Sequence, residues 1–213
     1  MCIRDRARIA PIAHANDGGG SIRIPASHSS LFGLKVTRGR TPVGPAFGEV
    51  WNGHAVNHAL TRSVRDSAAL LDATAGPAPG DPYAAPEKPP SYLAEIATPP
   101  KRLRIAATWT APKGYTVDQE VAATVQEAAS FLAGLGHQVE ERRPAYDHAA
   151  MELGHSLVVA GNMAADIVEC TAFLGRTPKP EDLERETWDF IRLGQGLSAE
   201  AFDEGFWLRL ALA

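Results

Sequence analysis

The sequence predicts an α/β fold, a mixed β-sheet flanked by helices, or a parallel one. Residues 102–143 read as strand, helix and strand: RLRIAATW, a helical stretch opened by Asp118, then QVEERR. Between the strands, Val121, Val125, Ala128, Leu132 and Leu135 recur at the 3.6-residue period that gives a helix one apolar face. A strand that returns through a helix lies parallel to its predecessor, with the helix covering the sheet. Elsewhere short apolar runs alternate with capped helical stretches, the pattern of a layered α/β chain.

In chain order, residues 1–6 (MCIRDR) are polar, lack an apolar leader core and read as a non-native scar. Residues 7–15 (ARIAPIAHA) carry a short strand signal, or a helix end running into a strand, and three glycines follow it. Residues 30–36 are a second apolar run. Residues 38–48 hold Gly39, Pro42, Gly44, Pro45 and Gly48 and must be loop. Residues 51–60 are expected to be a strand.

Ser63-Val-Arg-Asp66 has the form of a helix N-terminus. The serine oxygen can accept an orphan N–H, and Asp66 complements the positive helix end. That helix stops at Gly76-Pro77. Residues 76–100 hold eight of the 16 prolines. This composition fits an interdomain linker or a surface excursion, and we read it as an excursion on a single partial domain spanning 7–213. Asp118 is expected to cap the next helix and Gly134-Leu-Gly136 to end it. Residues from Pro144 to Leu174 are expected to be helical, with more helix from Glu181. The last residues, FWLRLALA, stop inside an apolar helical pattern, so both ends read as cut and the chain as an internal piece of a longer protein.

Composition narrows the function classes. The chain has 213 residues, 45% of them apolar and 22% charged, and a net charge of −4. No Lys/Arg run marks a nucleic-acid surface. Apolar runs such as 156–165 are interrupted and short for a bilayer span, so no membrane partner is expected. Two distant cysteines, Cys2 and Cys170, form neither a disulfide framework nor a metal knuckle, and a reducing cytoplasm is the simplest setting.

The stretch Asp17-Gly-Gly-Gly-Ser21-Ile-Arg-Ile-Pro25 carries the chemistry. Successive glycines let backbone N–H groups converge on one small space, a nest for an anion. Neither phosphate-loop pattern is present, and a serine at the end of the nest suits acyl transfer. Its hydroxyl would stand beside the donors that stabilise its own tetrahedral intermediate. The same residues also fit a plain tight turn, or a non-catalytic module that binds an anion or carboxylate in the Gly18–Gly20 nest.

The wider string D-G-G-G-S-I-R-I-P-A, followed by G-L-K-V-T-R-G-R, resembles the amidase signature family, whose pattern reads D-x-G-G-S-I-R-x-P-A and G-L-K-P-T-x-G-R. Val36 stands where that family has proline. Leu60-Thr-Arg-Ser-Val-Arg-Asp66, Gly-Asp-Pro82 and the strand from Pro99 to Ile105 are similar to later segments of the family. The wording ANDGGGSIRIPAS is similar to the subgroup of aminohexanoate cyclic-dimer hydrolases.

The resemblance implies an amide hydrolase with a Ser–Ser–Lys triad and a small-molecule amide substrate, needing no metal or organic cofactor. Ser21 matches the nucleophile. Gly18, Gly19, Gly20 and Ser21 match the backbone donors of the oxyanion hole, and Asp17 and Arg23 match a pair that structures the loop. The bridging serine and the lysine base would precede residue 7. The chain by itself is therefore expected to be inactive. Lys35 is the nearest lysine in sequence but matches a position outside the triad.

Other polar residues have ordinary readings. His54 and His58 have the spacing of a helical metal pair but lie in a strand-like stretch. His148, Glu152 and His155 share a helical face, where a solvated face is commoner than a metal site. His14 precedes the loop and is expected to be a satisfied buried histidine, or else a residue that supports the loop from behind. Cys170 is expected to be a small core hydrophobe, or with Asn162 to line a pocket. Trp188, Phe190, Phe206 and Trp207 are expected in the core.

Overall fold

A computed structural model of the chain describes residues 10–45 and 47–210. Residues 1–6 and the start of the 7–15 run lie outside the described residues. The chain separates into two compact units, divided between Pro99 and Pro100.

The first unit is built on a three-stranded antiparallel sheet. Strand β1 (Ile12–Asp17) pairs with β3 (Val56–Thr61), and β3 pairs with the two-residue β2 (Phe32–Gly33), giving the order β1-β3-β2. The run 30–36 thus supplies only a short strand, because Val36 leaves the sheet to enter the core. Register places Asp17 opposite Val56 and Ile12 opposite Thr61. The end of β1 and the start of β3 therefore meet at one end of the sheet.

Helix α1 (Arg23–His28) follows the glycine loop after Ser21 and Ile22, and Pro25 lies in its first turn. Proline is tolerated there because first-turn N–H groups have no intrahelical partner. Helix α2 (Val64–Thr74) packs against β3. Its cap is the predicted one: Ser63 Oγ accepts from the Asp66 N–H at 3.1 Å, an interaction typically contributing about 1 kcal/mol. Val36, Val56 and Leu71 form a core cluster, with Tyr92 packed against it. The residue that departs from the family pattern, Val36, is thus a core side chain.

The proline-rich stretch is tied back to this unit. Arg40 Nη1 donates to the Pro86 carbonyl at 2.8 Å, and the Asp72 carboxylate accepts from Ser91 Oγ and from the N–H groups of Tyr92 and Leu93. These bonds anchor the short helix α3 (Tyr92–Glu95).

The second unit contains the predicted strand–helix–strand. Strands β4 (Arg104–Ala107) and β5 (Gln138–Glu141) pair in parallel, Arg104 opposite Gln138, joined through α4 (Gln119–Gly134). Asp118 caps α4 by accepting from the Glu120 N–H at 2.8 Å. Both strand senses therefore occur, in separate sheets. Helix α5 (His148–Leu174) starts later than Pro144 because Asp147 supplies the cap, accepting from Ala149 and Ala150.

At 27 residues α5 is long and apolar enough to cross a bilayer by length and composition, unlike the interrupted runs read from sequence. In this unit it packs against α6 (Arg185–Gln195) and α7 (Ala199–Leu210). Gly194 of α6 faces the Ala160 backbone so closely that no Cβ would fit, and Gly161 of α5 receives the Phe202 ring of α7.

Candidate active site

Strand β1 delivers Asp17 to this end of the sheet with a fully buried side chain. Five donors converge on its carboxylate. Oδ1 accepts from the Gly20 N–H at 2.8 Å and Arg23 Nη2 at 3.0 Å. Oδ2 accepts from Arg23 Nε at 2.9 Å and from the N–H groups of Ile22 and Arg23 at 3.3 and 3.4 Å. Burial pushes this carboxyl up. The Arg23 guanidinium and the Arg23 and Ile22 N–H groups together outweigh burial and hold it below its ordinary value.

The clamp shapes the loop around Ser21. Gly20 has φ +124, a conformation that L side chains rarely adopt, and a Cβ there would meet Ile24 Cδ1 at 2.7 Å. The Ile24 N–H donates to the Gly20 carbonyl at 2.7 Å. Ile22 is wholly buried, while Ser21 between them is exposed. The serine is thus presented to solvent by anchors on both sides.

The four expected nest donors divide. The Gly20 N–H is turned onto Asp17. The N–H groups of Gly19 and Ser21 have no hydrogen-bond partner among the described residues. Gly18 is buried, and the six-membered edge of the Trp51 indole packs on it; a Cβ at Gly18 would lie 2.6 and 2.7 Å from Trp51 Cε3 and Cζ3.

Other candidates fall elsewhere. Lys35 Nζ donates to the His54 carbonyl at 3.3 Å. His54 belongs to a turn and His58 to β3, both buried. His58 Nε2 lies 2.7 Å from Ser67 Oγ, and burial pushes its imidazole pKa down. His14 is exposed, not buried, because its side of β1 is uncovered in this unit.

On α5, His148 Nδ1 lies 3.6 Å from Glu152 Oε1, and Asn162 Nδ2 donates to its own helix at Val158 O. His155 lies one turn beyond Glu152 on the same helix. Cys170 is exposed rather than a core hydrophobe, since α5 turns that position outward. Trp207 is also exposed, with Nε1 donating to Asp203; Trp188, Phe190 and Phe206 are half-buried.

Sequence reading missed Trp51 by absorbing it into a strand. The Asn52-Gly53 dipeptide after it was the available signal, since that pair favours a tight turn with positive φ.

The amidase family model matches residues 7–210. The 6-aminohexanoate-cyclic-dimer hydrolases of Paenarthrobacter ureafaciens and Pseudomonas sp. strain NK87 are each 36% identical over 200 residues, covering 92% of this chain and 41% of their own length. The solved structure of 6-aminohexanoate cyclic dimer hydrolase complexed with substrate superposes with a TM-score of 0.91 at 32% identity, covering 97% of this chain and 44% of that one. The chain thus spans less than half the length of the relatives it matches.

Proposed function

The chain belongs to the amidase family, and on that premise we propose that it is part of a serine amidohydrolase that cleaves carboxamide bonds through a Ser21 acyl-enzyme. The carrying observation is the exposed Ser21 held between buried Gly20 and buried Ile22 by the Asp17 clamp. A nucleophile needs that combination of access and fixed geometry.

Ser21 Oγ attacks the amide carbon as its proton passes to a base, and the carbonyl oxygen becomes an oxyanion. The Gly18–Ser21 segment faces that oxygen, with the Gly19 and Ser21 N–H groups as donors and Gly20 as the anchor to Asp17. Collapse of the intermediate breaks the C–N bond, and the amine leaves with a proton. Water then attacks the ester, releasing the acid and restoring the serine. Asp17 and Arg23 hold the loop and take no part in bond making.

The base and bridging serine belong to the upstream segment that the family resemblance implies. The 213 residues alone are accordingly proposed to be inactive. The continuous family match across Pro99 and Pro100 supports one amidase domain in the longer protein. Likeness to the cyclic-dimer hydrolases supports a small linear or cyclic amide as substrate, and a cytoplasmic setting fits a chain without a disulfide framework.

The test is amide hydrolysis by the longer protein with and without Ser21→Ala. We expect kcat to fall by about 10³-fold or more, and a fluorophosphonate to label the Ser21 peptide. Retained hydrolysis in Ser21→Ala overturns the nucleophile; retained carboxylate binding alongside it would mark a non-catalytic nest. Turnover by the purified 213-residue chain, lost on Ser21→Ala, would overturn only the inactivity.

A further inference from the structure

We propose that Trp51 is the wall of the acyl pocket beside Ser21 and selects amides whose acyl side is an apolar chain or ring. This rests on Ser21 being the nucleophile.

The placement follows from the sheet. Because β1 and β3 are antiparallel with Asp17 opposite Val56, the turn before β3 meets the glycines after β1. That turn has an unusual backbone. Trp51, Asn52 and Gly53 have φ of +50, +53 and +72 in succession. Asparagine and glycine adopt this region readily, whereas a bulky aromatic residue does so rarely.

Hydrogen bonds hold the conformation. The His54 N–H donates to Trp51 O at 3.0 Å, the Ala55 N–H to Val50 O at 3.2 Å, and Lys35 Nζ to His54 O at 3.3 Å. A turn alone would be satisfied by glycine or asparagine at this position. Keeping tryptophan in a strained backbone points to a use for its side chain, and such strain concentrates at sites of function.

The side chain reaches the nest. The indole edge packs on Gly18 so closely that any residue larger than glycine would displace it. Trp51 is half-buried, and Gly19 and Ser21, next in the chain after the Gly18 it packs on, are exposed. A carbonyl attacked by Ser21, with its oxygen on the nest, has its acyl substituent within reach of that surface. The indole offers a broad apolar face and excludes water from the developing oxyanion. An aliphatic or aromatic acyl group gains by covering it; an acetyl group is too short to do so.

The experiment uses the longer protein and compares kcat/KM for hexanamide and acetamide. Trp51→Ala is expected to lower the hexanamide-to-acetamide ratio by about 10-fold or more, chiefly through KM for hexanamide. Trp51→Phe is expected to restore part of it and supplies the reading if Trp51→Ala does not fold. Equal losses on both amides, or an unmoved ratio in both variants, would make Trp51 a packing residue only and overturn the proposal. Ser21→Ala separates the two readings. If it still hydrolyses, the nucleophile falls and Trp51's role with it; if it is dead and the ratio does not move, only Trp51 falls.

Discussion

Asp17 and Asp182 each take a bidentate arginine six residues away in the chain, and each also collects backbone N–H groups. Arg23 reaches Asp17 at 2.9 and 3.0 Å, and Arg176 reaches Asp182 at 2.6 and 3.0 Å. Gly20 and Ile22 add their N–H groups to the first carboxylate, Lys179 to the second. The forks match; the surroundings do not. The Asp17 side chain is fully buried, whereas Asp182 keeps 27% of its surface and Arg176 47%.

This difference decides what each fork does. Asp182 is lowered to about 2, first by Arg176 and then by the Lys179 N–H, with burial opposing less than either. At Asp17 burial is the largest single influence and opposes ionisation, so the donors must overcome it before the pair is favourable. In solvent, loss of one partner is made good by water. In the interior it leaves a bare charge, and the loop that carries Ser21 must rearrange.

The largest expected effect is therefore at the buried fork. Arg23→Ala should destabilise by about 3 kcal/mol, at the low end for a broken buried pair because half of Arg23 faces solvent. It should also suppress turnover of the longer protein although Arg23 makes no contact with the reacting atoms. An unchanged urea midpoint in Arg23→Ala would mean that the clamp does not hold the loop.

Acidity probes two buried groups of the first unit. The folded-state pKa of Asp17 lies below its ordinary 3.8. Its stabilisation is complete above that value and is lost as pH falls through the lowered one. The stability gap between wild type and Asp17→Asn should hold steady from about pH 5 to 8 and close below about pH 4. His58 is also depressed, from 6.5, by burial. The unfolded chain gains its proton first, so stability should fall as pH drops through 6.5 toward the folded value. His58→Gln should flatten that slope in urea titrations near neutral pH; an unchanged slope would put the imidazole in water.

The smallest effect belongs to the exposed fork. Arg176→Ala should leave the urea midpoint where it is, yet move the Asp182 titration seen by NMR from about 2 toward 3.8. A midpoint shift comparable to that of Arg23→Ala would erase the contrast between the two forks.

Local chemistry made much of this legible. Ser63 and Asp118 cap the helices that their spacing announced, since a cap is satisfied within three residues of itself. Asp17, Gly20, Ser21 and Arg23 lie within seven residues, and the clamp closes over that span. The meeting of Trp51 with Gly18 was illegible for the opposite reason. The tryptophan's apolar character fits a strand, and only the pairing of β1 with β3 brings it to Gly18. Cys170 and Trp207 look like core residues by type but are turned outward by their helices.

By itself, the sequence determined the helix caps, the glycine loop, the serine it presents and the family that loop identifies. Each depends on hydrogen bonds or backbone freedom within a few residues. Tertiary structure alone decided the antiparallel sense of the first sheet, the burial of Asp17 and the meeting of Trp51 with Gly18. Pairing residues 12–17 with 56–61 closes a long loop, and that cost is repaid only when the whole unit packs. Burial has the same origin: it belongs to a residue's neighbours in space, and one carboxylate here becomes an anchor where another remains a surface charge.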